Sequence, residues 1–173
     1  MTKRIAITGP ESTGKTWLAR QLAAHYKTNW VPEFARDFLF RLNRPYNYQD
    51  ILLIARQQYF LNQKAGEKAT GFLFCDTELI VTKIWCEVKY GKCHAWITDH
   101  IPKQKFDLYL IPDIDLPWEP DPQREHPQMR EKLMQLYIRE LETRQFPYHI
   151  IKGQNEERLK NAILVISQSQ PEN

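Results

Sequence analysis

Residues 9–16 read GPESTGKT and satisfy the pattern G-x-x-x-x-G-K-[ST] without a mismatch. A β-branched segment at residues 4–8 precedes this pattern, and apolar residues recur at helical spacing after it. Glycines there allow a tight turn in which successive backbone N–H groups face one concavity and bind phosphate oxygens. The dipole of the following helix would add to that attraction. The alternative is a glycine turn that only caps a helix. The flanking strand and helix favour a phosphate-binding loop for a nucleotide.

Most residues of this loop receive a role from the pattern. We expect Lys15 to reach the β- and γ-phosphates and the Thr16 hydroxyl to bind Mg²⁺. The other predicted nucleotide-binding residues are Gly9, Glu11, Ser12, Thr13 and Gly14. The pattern therefore predicts a nucleotide and Mg²⁺ as the bound cofactors; the family resemblance described below identifies the nucleotide as ATP.

Length and composition exclude several classes of protein. A chain of 173 residues suits one domain, and 42% apolar with 26% charged residues is ordinary for a globular protein. A net charge of +3 is too small to indicate nucleic acid or an anionic membrane as a partner. No apolar run approaches the ~20 residues of a membrane span, and no signal peptide is recognisable. The three cysteines lack C-x-x-C spacing, which favours reduced thiols and a cytoplasmic location.

Five apolar or β-branched segments alternate with segments of helical period. The predicted strands are residues 4–8, 29–32, 71–76, 106–112 and 148–151. The predicted helices follow the loop to about residue 27, then cover 34–42, 48–68, a segment ending at 90, 128–144 and 155–167. Such alternation indicates a parallel sheet covered on both faces. The predicted fold is a P-loop NTPase of the α/β class, three α/β/α layers with a five-stranded parallel sheet.

The same pattern predicts a single domain at residues 1–167, with a polar tail at 168–173. The stretch at about 113–127 is rich in proline, shows no periodicity and is predicted to be a mobile lid loop. The chain lacks the N-K-x-D motif of GTPases and the L-S-G-G-Q element of ABC ATPases, and it is too short for a typical AAA+ module. A small kinase for nucleosides or nucleoside monophosphates remains. Such enzymes need a carboxylate near the acceptor hydroxyl, an acid at Mg²⁺ and a basic lid that excludes water.

Two acidic residues follow predicted strands, where ligands bind in open α/β sheets. Asp76 ends the segment 71–76 and is predicted to hold Mg²⁺ or to orient the acceptor; the alternative is a helix N-cap. Glu33 leaves the second strand and could accept a hydroxyl proton or bind a ribose diol; the alternative is compensation of a helix dipole. Arg36 could contact phosphate or Glu33, or it could face water.

The lid supplies the remaining candidates. Arg124 and Arg130 are predicted to neutralise charge on the transferring phosphoryl group, because the guanidinium group binds phosphate in a bidentate manner. Trp118 could stack on a base, or it could anchor the loop to the core. The alternative for the whole segment is a solvated loop with ordinary arginines.

Several segments together resemble the ribosylnicotinamide kinase domain of NadR-type proteins, and the resemblance spans nearly the whole chain. They are GPESTGKT at 9–16, EFAR at 33–36, FCDTE at 74–78 and PWEPDPQR at 117–124, with Thr82, Trp85, Cys86, Tyr90 and Gly91 in the helix after the third strand. The resemblance implies ATP-dependent phosphorylation of the 5′-hydroxyl of nicotinamide riboside, which gives nicotinamide mononucleotide. This chain departs from the family in two ways. Asp37 stands where the family leads us to expect Glu, and no adenylyltransferase domain precedes the kinase.

Two other functions stay open at this point. One is a kinase for another nucleoside or a nucleotide. The other is a nucleotide-binding regulatory ATPase that acts on a partner. In the kinase mechanism, Asp76 or Glu33 orients and deprotonates the acceptor hydroxyl while Arg124 and Arg130 close over the γ-phosphate.

Overall fold

The computed structural model describes residues 2–169 of the chain. Its strands are β1 Lys3–Ile7, β2 Trp30–Val31, β3 Phe72–Asp76, β4 Leu108–Pro112 and β5 Tyr148–Ile151. Its α-helices are α1 Lys15–His25, α2 Phe34–Arg41, α3 Tyr48–Lys68, α4 Leu79–Tyr90, α5 Ala95–His100, α6 Arg130–Thr143 and α7 Asn155–Gln168. A single 3₁₀ turn, Ile101–Lys103, follows α5.

The five strands form one sheet in the order β2-β3-β1-β4-β5, and every pairing is parallel. Side chains alternate between the two faces of a strand, so β1 contributes to both layers of the core. Ile5 and Ile7 pack against Leu18 and Leu22 of α1, in the layer that α7 also covers. Ala6 faces the layer covered by α3, α4 and α6. The predicted three-layer α/β/α P-loop fold is confirmed.

The order of the strands determines where the site forms. The chain leaves β1 at Ile7, and Ile7 is paired with Asp76 at the end of β3. Because all strands are parallel, their carboxyl ends lie at one edge of the sheet, and the loops that follow β1, β2, β3 and β4 meet there. Residues that are distant in sequence therefore surround the predicted phosphate-binding loop.

Apart from shifts of one or two residues at the ends of the other elements, the structure departs from the predicted elements at three places. Helix α5 and the 3₁₀ turn were not predicted, because six residues are too few to show helical periodicity; Ile97 and Ile101 nevertheless bury this segment in the core. Helix α6 begins at Arg130 rather than at 128. Helix α7 continues to Gln168, so the predicted start of the polar tail falls inside the helix; residues 170–173 lie outside the described part of the chain.

Among residues 2–169, no helix has both the length and the apolar character that a membrane crossing requires.

Candidate nucleotide-binding site

The loop between β1 and α1 has a backbone that requires glycine at two positions. Gly9 has a φ of 126°, and a Cβ atom there would lie 2.9 Å from Cγ2 of Ile111. Gly14 has a φ of 79° and is the N-cap of α1. Ser12 also adopts a positive φ, 56°. The two glycines thus serve the turn itself, as the sequence pattern predicted.

The side chains of this loop fold back onto its own backbone. Nζ of Lys15 donates to the carbonyl of Pro10 at 2.6 Å, and Oγ1 of Thr13 donates to the same carbonyl at 2.9 Å. Burial lowers the pKa of Lys15, while the charges of nearby Glu33, Asp76 and Glu11 oppose that shift. The ammonium group thus lies at the base of the loop, where it can exchange its bond to the carbonyl for phosphate oxygens.

Asp76 meets the loop through Thr16. Oγ1 of Thr16 donates to Oδ2 of Asp76 at 2.6 Å, and Oδ1 of Asp76 is buried without a hydrogen-bond partner in the described part of the chain. Burial, with a further contribution from the charge of Glu33, raises the pKa of Asp76 to about 6. The N-cap alternative for Asp76 is wrong, because the cap of α4 is Glu78, whose side chain accepts from the N–H of Ile80.

An unpartnered carboxylate oxygen beside a threonine hydroxyl fits a hard cation such as Mg²⁺. Within residues 2–169, no group of three or more His, Cys, Asp or Glu side chains could hold a metal ion. Mg²⁺ usually takes only one or two protein carboxylates and completes its octahedron with waters and substrate phosphates. Thr16 and Asp76 therefore fit the ion in the presence of a nucleotide.

Glu33 and Arg36 occupy the start of α2 on the other side of the loop. Glu33 is the N-cap residue of α2, but its side chain makes no capping hydrogen bond and lines the cavity instead. The guanidinium of Arg36 pairs with Asp121 of the lid at 3.0 Å, and the carbonyl of Arg36 accepts from Nε2 of Gln123 at 3.0 Å. Arg36 thus joins α2 to the lid and does not face only water.

A cavity of about 390 Å³ opens between these elements. Its polar end is the phosphate-binding loop with Glu33 and Arg36, and the lid supplies a second wall. The third wall is apolar and aromatic and consists of Leu39, Tyr46, Val81, Ile84, Trp85, Val88, Leu133 and Tyr137. An adjoining cavity of about 610 Å³ lies beneath α2 and shares Thr16, Glu33 and Arg36 with the first, and Asp76 lines this second cavity.

The lid lies against the phosphate-binding loop. Oγ of Ser12 accepts from the N–H of Glu119 at 2.9 Å and from Nη1 of Arg124 at 3.3 Å. The carboxylate of Glu11 accepts from the backbone N–H groups of Glu125 at 3.2 Å and His126 at 3.1 Å. Arg124 also lines the cavity, so the structure brings this predicted residue to the phosphate end of the site.

Arg130 and Trp118 lie together outside the walls of the two cavities. Nη1 of Arg130 donates to the carbonyls of Leu116 at 2.8 Å and Ser12 at 3.3 Å, and its guanidinium lies 6.0 Å from the ring centroid of Trp118. This contact favours the alternative in which Trp118 anchors the lid loop instead of stacking on a base. Stacking of Trp118 on a base and charge neutralisation by Arg130 stay predictions.

Tyr46 belongs to the site, although the sequence analysis did not propose it. Its hydroxyl accepts from Nε1 of Trp85 at 2.8 Å and from Nζ of Lys89 at 2.5 Å, and it donates to Oε2 of Glu125 at 2.7 Å. Burial raises the pKa of Tyr46 to about 12, so the phenol stays protonated at neutral pH. These bonds connect the apolar wall to the lid. The tyrosine precedes an ordinary helix N-terminus, and no local sequence signal marks it.

Arg158 is a second residue that sequence reasoning missed. Its side chain is almost fully buried and donates to the carbonyls of Gly153 at 2.7 Å and Asp113 at 3.2 Å, to that of Thr13, and to the carboxylate of Asp115. It therefore joins the phosphate-binding loop to the turns after β4 and β5. An arginine in the first turn of a helix normally faces water, so the sequence offered no signal for it.

A glycine turn that binds phosphate at the carboxyl edge of a parallel sheet defines the P-loop nucleotide-binding proteins, and this chain has that fold and that turn. More particularly, the chain belongs to the AAA domain family AAA_28, whose family model matches residues 4–158. This family is described as an AAA domain, and its model fits within a chain that is too short for a typical AAA+ module.

Comparison with known proteins supports the resemblance to NadR-type proteins. The chain is 28% identical over 125 residues to the trifunctional NAD biosynthesis/regulator protein NadR of Salmonella typhimurium, an alignment that covers 69% of this chain and 30% of the relative. A crystal structure of NadR in complex with NR is 20% identical and superimposes with a TM-score of 0.81, covering 97% of this chain and 50% of that one. The resemblance to NadR-type proteins is thus confirmed.

A nucleotide kinase shares the same fold. Thymidylate kinase from Ehrlichia chaffeensis is 16% identical and superimposes with a TM-score of 0.70, covering 98% of this chain and 99% of that one.

By contrast, the chain spans only about a third of the length of its curated NadR relative. The fold is therefore common to several kinases, while the sequence match is to one part of a multifunctional protein.

Proposed function

We propose that this protein is an ATP-dependent kinase that phosphorylates the 5′-hydroxyl of nicotinamide riboside to give nicotinamide mononucleotide, a step of NAD biosynthesis or salvage. The observation that carries the proposal is the cavity that joins a P-loop to an aromatic wall beneath an arginine-bearing lid. The sequence match to NadR and the likeness to a NadR structure that contains NR support this choice of acceptor.

The nucleotide would bind with its phosphates on residues 9–16. The backbone N–H groups of the loop and the start of α1 bind phosphate oxygens, and Lys15 supplies a positive charge. Arg124 lies on the lid at the same end of the cavity and would contact the γ-phosphate as the phosphoryl group transfers. Mg²⁺ held by Thr16 and Asp76 would neutralise charge on the phosphates.

The acceptor would occupy the part of the cavity lined by Tyr46 and Trp85. Aromatic faces suit a planar ring, and they attract a cationic one such as the pyridinium of nicotinamide riboside. Glu33 lines the same cavity as this wall and the loop, so its carboxylate can orient the 5′-hydroxyl and take its proton. Asp76 is better suited to the metal, because it already bonds Thr16.

The lid would exclude water from the transfer. Its bonds from Glu119 to Ser12 and from His126 to Glu11 hold it against the phosphate-binding loop, and the bond between Glu125 and Tyr46 holds it against the aromatic wall. Exclusion of water prevents hydrolysis of ATP in place of transfer to the acceptor. We also propose a cytoplasmic location for this reaction, since all three cysteines are free thiols.

A mass-resolved assay tests the proposal. The purified chain is incubated with ATP and Mg²⁺ and either nicotinamide riboside, a panel of ordinary nucleosides and nucleoside monophosphates, or no acceptor. We expect a product heavier by one phosphoryl group from nicotinamide riboside, and no such product from the variant Lys15→Ala.

Each other result has a defined meaning. Phosphorylation of a different acceptor would refute the proposed substrate and keep the kinase. Release of ADP at a rate that no acceptor changes would refute the kinase and favour a regulatory ATPase.

A further inference from the structure

Glu33 and Asp76 lie just beyond the point at which their two strands stop pairing. Strand β2 has only two residues, and its pairs are Trp30 with Phe74 and Val31 with Cys75. Glu33 follows the last β2 residue by two positions, and Asp76 follows its partner by one. The sheet alone therefore leaves the separation of the two carboxylates undetermined.

Gln58 of α3 holds the backbone on both sides of Glu33. Its Oε1 accepts from the N–H of Phe34 at 2.8 Å, and its Nε2 donates to the carbonyl of Pro32 at 3.2 Å. The Gln58 residue is 2% exposed. One buried amide thus binds the residue before Glu33 and the residue after it.

Asn62 continues this connection to the end of β3. It lies one helical turn after Gln58 on the same face of α3, so its Oδ1 accepts from Nε2 of Gln58 at 3.1 Å. Its Nδ2 donates to the carbonyl of Thr77 at 3.3 Å, directly after Asp76. Asn62 is also buried, with 1% of its surface exposed.

Thr77 adds a reason for this support. Its φ is 72°, a left-handed conformation that a β-branched residue rarely adopts. Such a conformation persists only where the surroundings hold it in place. The N–H of Thr77 donates to the carbonyl of Ile7 at 3.0 Å, and the Asn62 amide holds its carbonyl. The backbone that presents Asp76 is therefore fixed from β1 on one side and from α3 on the other.

We propose that Gln58 and Asn62 are positioning residues that set the distance between the Glu33 and Asp76 carboxylates for phosphoryl transfer. This inference rests on the proposed kinase function and adds residues that contact neither nucleotide nor acceptor. Two buried amides would be a costly way to fill an apolar helix face, since each needs a full set of partners. Here their partners are the backbone groups beside the two acidic residues.

Two variants break the connection at different links. Gln58→Met removes the bonds to Pro32, Phe34 and Asn62 with an unbranched side chain of similar length. Asn62→Leu removes the bond to Thr77 and the bond from Gln58, and it leaves the bonds of Gln58 to Pro32 and Phe34 in place. Gln57→Met is the matched control, because Gln57 is the exposed neighbour of Gln58 on α3. Each protein is assayed with ATP and Mg²⁺, with and without nicotinamide riboside, and KM for ATP is measured in parallel.

The deciding quantity is the ratio of acceptor phosphorylation to ATP hydrolysis. A loss of folded protein lowers both rates equally and leaves this ratio unchanged. A changed distance between Asp76 and Glu33 misaligns the acceptor with the phosphoryl group, and it slows transfer more than hydrolysis, because an attacking water does not need Glu33. A misplacement of about 1 Å can cost on the order of a hundredfold in rate. We expect both variants to lower the ratio by about tenfold or more, with KM for ATP within about twofold of the wild type and no change in Gln57→Met.

The outcomes separate this inference from the proposed function. An unchanged ratio in both variants, whether or not their total activity falls, overturns the positioning role while the kinase function stands. A wild-type protein that phosphorylates no acceptor overturns the proposed function itself.

Discussion

Replacement of Asp76 by asparagine should make the protein more stable at neutral pH while it removes the acid that we propose holds Mg²⁺. The Asp76 carboxyl is fully buried, its Oδ1 has no hydrogen-bond partner among residues 2–169, and its pKa rises from 3.8 to about 6. A shift of roughly two units corresponds to about 3 kcal/mol of preference for the protonated form, at about 1.4 kcal/mol per unit. The ionised carboxylate therefore destabilises the folded protein by about this amount in the absence of a cation.

The sign of the pH dependence follows from the raised pKa. The stabilisation by protonated Asp76 is fully present below its unfolded-state pKa of 3.8, and it is lost as the pH rises through about 6. The amide of Asp76→Asn stays neutral throughout. We expect the free energy of unfolding of the variant to match that of the wild type near pH 4 and to exceed it by up to about 3 kcal/mol at pH 8.

Urea denaturation in the presence of EDTA, at pH 4 and pH 8, measures this difference. Asp99→Asn is the control, because Asp99 is an exposed aspartate outside the site, and it should show no gap that grows with pH. The same preparation of Asp76→Asn should lose activity by about a hundredfold or more at saturating Mg²⁺. A stability difference that is the same at both pH values would refute the burial argument for Asp76.

Three further substitutions test other parts of the site. Lys15→Ala should abolish nearly all turnover and leave the thermal melting curve near that of the wild type, because the ammonium serves phosphate rather than the core; normal turnover would contradict the P-loop assignment. Arg124→Lys should lower kcat by about tenfold with a smaller change in KM for ATP, because lysine lacks the planar fork that binds phosphate; equal kinetics would place Arg124 outside the transfer step. Tyr46→Phe removes a hydroxyl that bonds Trp85 and Glu125. The KM for the acceptor should therefore rise severalfold, and the free energy of unfolding should fall by about 1 kcal/mol. An unchanged KM would show that the Tyr46 hydroxyl does not connect the aromatic wall to the lid.

Local chemistry in the sequence determined the centre of the site. The two glycines of residues 9–16, the lysine and the threonine form a turn whose positive φ values are a local property of glycine, and the structure shows that turn. Hydrophobic periodicity likewise predicted the five strands and six of the helices, because each element buries one or both of its faces at a regular interval. The predicted end of β3 likewise coincides with the observed end of the strand at Asp76.

The tertiary structure decided which distant residues complete the site. Tyr46 bonds Glu125, Arg158 bonds the carbonyl of Thr13, and Gln58 bonds the backbone on either side of Glu33. In each case the partners are far apart in the chain. Their residue types are ordinary for exposed or helical positions, so no local pattern distinguishes them. Periodicity and turn chemistry report the conformation of adjacent residues, whereas the identity of a buried partner depends on how the completed helices and strands pack at one edge of the sheet.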